Sequence, residues 1–157
     1  MSDSEVGAID ENTRQAIRDI TGVDPVSALK FFDVVYLAPL ARRFALKSAS
    51  VLDCAGGSGW LAIGARIRGA RRVVACDLYP EVIDRAKTVS AMLGLSGGIE
   101  FVTADVAALP FDNEEFDAVC SIETLEHVPI RPAINELARV CSQYFVVETI
   151  SRYFPID

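Results

Sequence analysis

The chain is poor in the residues that build metal and redox centres. It has 157 residues with one histidine, one tryptophan and four cysteines, and no two cysteines stand in a CxxC pair. That spacing excludes zinc-ribbon and thioredoxin-like chemistry. Cys54, Cys76, Cys120 and Cys141 are also too widely spread for a disulfide framework, and three of them fall in or beside apolar runs, where free cysteine behaves as a small hydrophobe. Basic residues are in deficit: 15 Lys and Arg face 22 Asp and Glu, a formal net charge of −7. Such a chain is poorly suited to the phosphate backbone, so no nucleic-acid partner is expected. No apolar run approaches the length of a membrane span, about eighteen residues. The richest stretch, 34–41, contains Pro39 and runs into Arg42 and Arg43. Residues 1–11 are polar and acidic, the opposite of a signal peptide. A cytoplasmic location without a membrane partner is the expectation.

A substantial core is available. Hydrophobic residues make up 51% of the chain, and at this length about two-thirds of the unfolded surface can be buried. Disorder and low-complexity structure are thereby excluded. Without repeats or a linker, residues 1–157 read as one domain, with an N-terminal helical extension at 1–48 and an α/β core at 49–150.

In the extension, a frayed tail to about residue 10 precedes a short amphipathic helix near Asn12 to Ile20, which Thr21 and Gly22 break. Asp24-Pro25 then supplies a capping acid and a first-turn proline. Ala28, Phe31, Phe32, Val35 and Tyr36 recur at helical spacing after it, and Pro39 is expected to kink this second helix. From Ser50 the pattern changes to short apolar runs: Val51–Cys54, Val73–Cys76, Ile99–Thr103, Phe116–Ile122 and Tyr144–Thr149. They are too continuous for half-exposed antiparallel strands and fit a parallel sheet covered on both faces. Helices are expected at Gly59–Arg68, Pro80–Leu93 and Pro132–Val140, whereas Ala104–Glu115 carries no helical signal. This alternation specifies a doubly wound α/β sheet, whose ligands bind beyond the carboxyl ends of its strands.

The first strand ends in Asp53-Cys54-Ala55-Gly56-Gly57-Ser58-Gly59. Glycines there permit a sharp turn and close approach of a ligand to the backbone. Gly57-x-Gly59-x-x-Ala62 also fits the dinucleotide fingerprint, with Asp77 where a ribose-binding acid belongs. Asp53 separates the two readings. A carboxylate at that strand end repels a pyrophosphate and attracts a cationic ligand.

Taken in order, the Asp53–Gly59 loop, Asp77, Thr103-Ala104-Asp105-Val106, Leu109-Pro110-Phe111, Phe116-Asp117-Ala118-Val119 and Leu125-Glu126-His127-Val128 resemble the class I S-adenosylmethionine-dependent methyltransferases. The resemblance runs from Val51 to about Thr149 and implies a mainly parallel, Rossmann-like sheet of strand order 3-2-1-4-5. It also implies S-adenosyl-L-methionine as cofactor and methyl transfer to a small-molecule acceptor by in-line displacement. By the same resemblance, the backbone of Ala55, Gly56, Gly57 and Gly59 cradles the methionine end, and Asp53 holds the loop and the ammonium. Asp77 accepts the ribose hydroxyls and Leu78 packs on the adenine. Asp105 and the Val106 amide read the adenine, while Ser121 and Ile122 line the transfer region. Two features depart from the family. Ala55 replaces the first glycine, and the family sheet continues past its fifth strand with a helix and a hairpin, so a sequence that stops at Asp157 is expected to be either a minimal version or a truncated one.

Several residues keep a second reading. Asp77 could cap the helix at Pro80, and Asp105 could serve only a turn. Phe111 and Phe116 read as core anchors, and Trp60 as packing or pocket wall. The Phe31, Phe32 and Tyr36 helix could be a lid or core. Glu123, Glu126 and His127 resemble a divalent-cation segment, but a hard cation wants about six ligands, so no metal is expected. His127 and Glu123 are instead candidates for general-base assistance. Two rival functions remain, a non-catalytic cofactor- or partner-binding module and a nicotinamide-dependent oxidoreductase. The fifth strand, an apolar edge, is expected to favour self-association into a homo-oligomer.

Overall fold

The computed structural model describes residues 9–149; the expected frayed tail lies largely outside them, as does Ile150. Capping chemistry sets the N-terminal helices. In α1 (Glu11–Thr21) the Asp10 carboxylate accepts from the Thr13 amide, and Gly22, at φ 73°, closes the helix. Asp24 accepts from the Ser27 amide to start α2 (Pro25–Phe32) with Pro25 in its first turn. The expected kink at Pro39 takes another form. A widened π-turn, Asp33–Leu37, leads directly into α3 (Ala38–Ala41). Proline has no N–H and its ring crowds the carbonyl four residues back, so the turn ahead of it opens and the helix continues.

Five parallel strands follow: β1 (Ser50–Cys54), β2 (Arg72–Asp77), β3 (Glu100–Thr103), β4 (Phe116–Ile122) and β5 (Cys141–Glu148). They are ordered β3-β2-β1-β4-β5, as expected. The connecting helices are α4 (Trp60–Ile67), α5 (Pro80–Met92) and α6 (Ile130–Val140). Helix α6 starts two residues earlier than expected, because Pro132 still falls among the first-turn amides that have no intrahelical acceptor. Strand β5 starts directly where α6 ends, three residues before the expected Tyr144.

Side chains alternate between two cores, as the strand period requires. Val51 and Val73 join Ile17, Leu29, Leu37 and Leu61 under the N-terminal helices and α4. Leu52 and Val74 join Phe116, Val119, Leu137 and Val140 on the α6 side. Phe116 is fully buried with Phe111 edge-on against it at 5.0 Å, so both are core anchors. Burial on both faces holds for β1 and most of β4 but not for the edge strands β3 and β5, which are partly exposed. Among the described residues, no helix is long and apolar enough to cross a membrane.

The connection 104–115 has no helix, as expected, and side chains of α6 hold it. The Arg139 guanidinium donates to the carbonyls of Phe111 (2.7 Å) and Leu109 (3.0 Å), while Glu136 accepts from the Leu109 amide at 2.8 Å and pairs with Arg139. Arg139→Ala is expected to lower the melting temperature by several degrees and to speed amide hydrogen exchange across 104–111. Arg139→Lys should recover only part of this, because an ammonium lacks the planar fork that serves two carbonyls and a carboxylate together. Unchanged melting and exchange in Arg139→Ala would contradict this role.

Candidate active site

The first strand leaves the sheet through a turn built on close approach. The amides of Ala55 and Gly56 both donate to the Cys76 carbonyl, at 2.8 and 3.3 Å, which ties the turn to β2. Gly56 lies directly over the Asp53 carboxylate. A Cβ there would stand 2.5 Å from Asp53 Oδ2, so only glycine fits. Gly59, at φ 77°, is the N-cap of α4 and has no side chain to offer. Asp53 supplies the missing acceptor from β1 by taking the Ala62 amide at 3.0 Å, a capping role that sequence reasoning missed because capping signals are sought within three residues, not nine.

Asp53 is 2% exposed. Among the described residues no arginine or lysine pairs with it. Burial pushes its carboxyl up, the Ala62 amide draws it back and the Asp77 charge raises it again, leaving it at about 7. The site therefore rests on a buried acid with one hydrogen-bond donor and no counter-cation.

Two cavities meet at the turn. The first, of about 280 Å³, lies beyond the ends of β1, β2 and β4. On one wall Asp77 Oδ1 accepts the Tyr79 amide at 3.2 Å. Tyr79, not Asp77, is the N-cap of α5, and no side chain caps that helix; the helix-cap alternative for Asp77 therefore fails. Leu78 and Tyr79 are about half exposed, apolar surface turned toward the cavity. Ala104, Asp105 and Val106 form a second wall, where Asp105 Oδ1 accepts the Ala107 amide at 2.8 Å and Val106 is buried. Glu123, Thr124, His127 and Val128 close the third.

The second cavity, of about 290 Å³, is lined by Phe32, Trp60, Asp53, Gly56, Ile122 and Glu123, among others. Ala55, Gly57 and Glu123 line both cavities. Glu123 is held in the left-handed region, at φ 52°, and its amide donates to the Glu148 carbonyl at 2.8 Å. Across the π-turn, the Tyr36 hydroxyl donates to the Glu148 carboxylate at 2.6 Å. Burial and that carboxylate raise the Tyr36 pKa, so the phenol stays a proton donor and ties the N-terminal helices to the end of β5.

Of the sequence-predicted residues, Asp53, Ala55, Gly56, Gly57, Asp77, Leu78, Asp105, Val106, Ile122, Glu123 and His127 line one or both cavities. Gly59 serves as a helix cap. Ser121 is fully buried, lines neither cavity, and its Oγ has no hydrogen-bond partner. Among the described residues no three His, Cys, Asp or Glu side chains come together as a metal site; Glu126 instead accepts from the Thr149 hydroxyl at 2.7 Å. Phe32 and Trp60 stand in the second cavity wall, the pocket-wall alternative for Trp60, and Tyr79, Val82 and Arg85, which the sequence did not single out, extend the first. The exposed apolar pair Leu78-Tyr79 at a strand end was the signal that could have revealed that wall.

The raised carboxyl of Asp53 has a pH signature. Below its ordinary value of 3.8 the folded and unfolded chains both hold the proton. Between there and about 7 the folded chain holds it and the unfolded chain does not, so this residue's contribution to stability falls as pH rises and is lost above that window. Asp53→Asn keeps an oxygen for the Ala62 amide and removes the charge. Melting temperatures from about pH 5 to 8 should show the variant gaining on the parent as pH rises. Parallel curves would contradict a buried, proton-holding Asp53.

Comparison with known proteins agrees with this architecture. Residues 51–143 match the family model described as a methyltransferase domain. An uncharacterised protein of Mycobacterium tuberculosis is 41% identical over 102 residues, covering 64% of this chain and 36% of that protein. The ubiquinone biosynthesis O-methyltransferase of Xylella fastidiosa is 35% identical over 113 residues, covering 70% of this chain and 44% of the enzyme. The chain thus spans less than half the length of these curated relatives. The crystal structure of an S-adenosylmethionine-dependent methyltransferase from Aquifex aeolicus superposes with a TM-score of 0.63 at 19% identity, over 100% of this chain and 77% of that one, a likeness of fold. The family implies S-adenosyl-L-methionine as cofactor, and the charge of the site fits it: a buried, unpaired carboxylate beneath a glycine turn, with three further acids on the walls. By its match over residues 51–143, the chain belongs to the class I methyltransferase-domain family.

Proposed function

We propose that this chain binds S-adenosyl-L-methionine across the two adjoining cavities and transfers its methyl group to a small-molecule acceptor. The observation that carries the reading is Asp53, a buried carboxylate that no arginine or lysine among the described residues neutralises. A ligand bearing positive charge relieves that burden, whereas the pyrophosphate of a nicotinamide dinucleotide would add to it. When bound, the cofactor supplies a methyl group activated by a sulfonium leaving group, so alignment and exclusion of water provide most of the acceleration.

The protein's own groups divide the remaining work. Asp77 accepts from the ribose hydroxyls, Leu78 packs on the base, and Asp105 with the Val106 amide reads its edge. The Ala55–Gly59 backbone and Asp53 hold the amino-acid end. Ile122 borders the transfer region, with Phe32 and Trp60 keeping water from it. Glu123, which lines both cavities, is the base best placed to take a proton from the acceptor, with His127 on the wall of the first cavity as the other candidate. A cytoplasmic setting and self-association along the exposed β5 edge belong to the same proposal.

Asp77 gives the sharpest test. Hydrogen bonds to a charged acceptor are worth about 1.5–3 kcal/mol, so Asp77→Ala should weaken S-adenosylmethionine by roughly ten- to a hundredfold. The melting temperature should hardly move, because the Asp77 carboxylate caps no helix. Asp77→Asn should fall between the two in affinity. Calorimetric titration with parallel melts makes the measurement. A loss of stability with unchanged affinity in Asp77→Ala would contradict the ribose role.

A further inference from the structure

We propose that the second cavity selects an aromatic acceptor that carries no anionic group. The inference rests on the proposed methyl transfer and names the class of molecule that reaction takes. The lining of this cavity is of two kinds. One part is the glycine turn with Asp53, which the proposed function gives to the cofactor's amino-acid end. The other part is Phe32 of α2, Trp60 of α4, and Ile122 and Glu123 at the end of β4. This second group is left for the acceptor, and it is apolar apart from one acid. Its aromatic members are held by contacts within the protein. The Phe32 ring lies edge-on to Phe31 at 5.6 Å and tilted against Tyr36 at 5.5 Å. The next residue, Asp33, pairs with Arg68 at the far end of α4, the helix that Trp60 begins. Two rings on two tied helices thus form a prebuilt wall, and rings pack well edge-on or offset against other rings.

Charge narrows the class further. Asp53 and Glu123 line this cavity, and among the described residues no arginine, lysine or histidine does. The first cavity differs, since Arg85 and His127 line it. A carboxylate or phosphate on the acceptor would lose its water beside Glu123 with no cation to receive it. A neutral hydroxyl or amine can instead donate a hydrogen bond to the Glu123 carboxylate. Selection therefore combines attraction of a ring with rejection of an anion.

Trp60 is the chain's single tryptophan and lines the cavity, so its fluorescence reports what enters there. The protein is first saturated with S-adenosylhomocysteine, with that step followed by calorimetry. It is then titrated with 3-hydroxybenzamide or with 3-hydroxybenzoate, which share ring, hydroxyl and shape and differ in charge. The amide should change the Trp60 signal and bind at least about tenfold more tightly than the acid. Glu123→Gln should narrow that gap. Phe32→Leu should weaken the amide severalfold and leave S-adenosylhomocysteine affinity unchanged, with thermal melts to verify that both variants fold. If S-adenosylhomocysteine binds, then an acid bound as tightly as the amide, no binding of either probe, or a substitution without its effect overturns the acceptor class, and the cofactor reading stands. If the parent protein does not bind S-adenosylhomocysteine, the cofactor reading falls and the acceptor class with it.

Discussion

The Asp53 carboxylate is the constraint around which the rest of the site is arranged. It stands next to the end of the most buried strand of the sheet, and a buried charge with a single amide donor is destabilising unless something else compensates it. Its position over the Ala62 amide starts α4, which Gly59 cannot cap. Its position under Gly56 forbids any side chain there. The same carboxylate thus shapes the turn, starts the helix behind it and leaves an unneutralised acid at the cavity floor. Stability alone would favour an amide or an apolar residue at 53. A cationic ligand changes that preference, because the charge then has a partner in the bound state.

Strain is stored nearby. Among the described residues only Ala55, Glu114 and Glu123 hold a positive φ without being glycine, and two of these three line the cavities. Such backbone persists only where surrounding contacts hold it. Ala55 is fixed by its bond to the Cys76 carbonyl and Glu123 by its bond to the Glu148 carbonyl. The π-turn that carries Tyr36 adds a third irregular element, tied to Glu148 from the other side. Three irregularities therefore converge where β1, β4 and β5 end. That convergence also joins the N-terminal helices to the second cavity, since Phe32 precedes the π-turn directly.

Most of the fold was legible because its signals are local. Alternating valines separate the two cores, prolines and aspartates mark helix starts, and the strand-end acids Asp53, Asp77 and Asp105 announce the ligand face. What escaped depends on tertiary geometry. The capping of α4 by a residue nine positions away leaves no mark in the helix sequence. Pro39 signals a disturbed helix but not that the turn ahead of it widens. Trp60 reads as packing or pocket wall and Phe32 as lid or core, and the sequence does not choose between them, because a cavity wall and a packing surface use the same side chains. Ser121 lies between a cavity-lining residue and a core cysteine, and one step along a strand moves a side chain to the opposite face.

The most direct measurement is a calorimetric titration with S-adenosylmethionine near neutral pH, repeated in buffers of different ionisation enthalpy so that protons exchanged on binding are counted. Binding should release about half a proton near pH 7, as the cation drives Asp53 to its charged form, and Asp53→Asn should abolish that release. Binding with no proton released, or a stronger response to a nicotinamide dinucleotide than to S-adenosylmethionine, would contradict a site organised around a buried acid awaiting a cationic ligand.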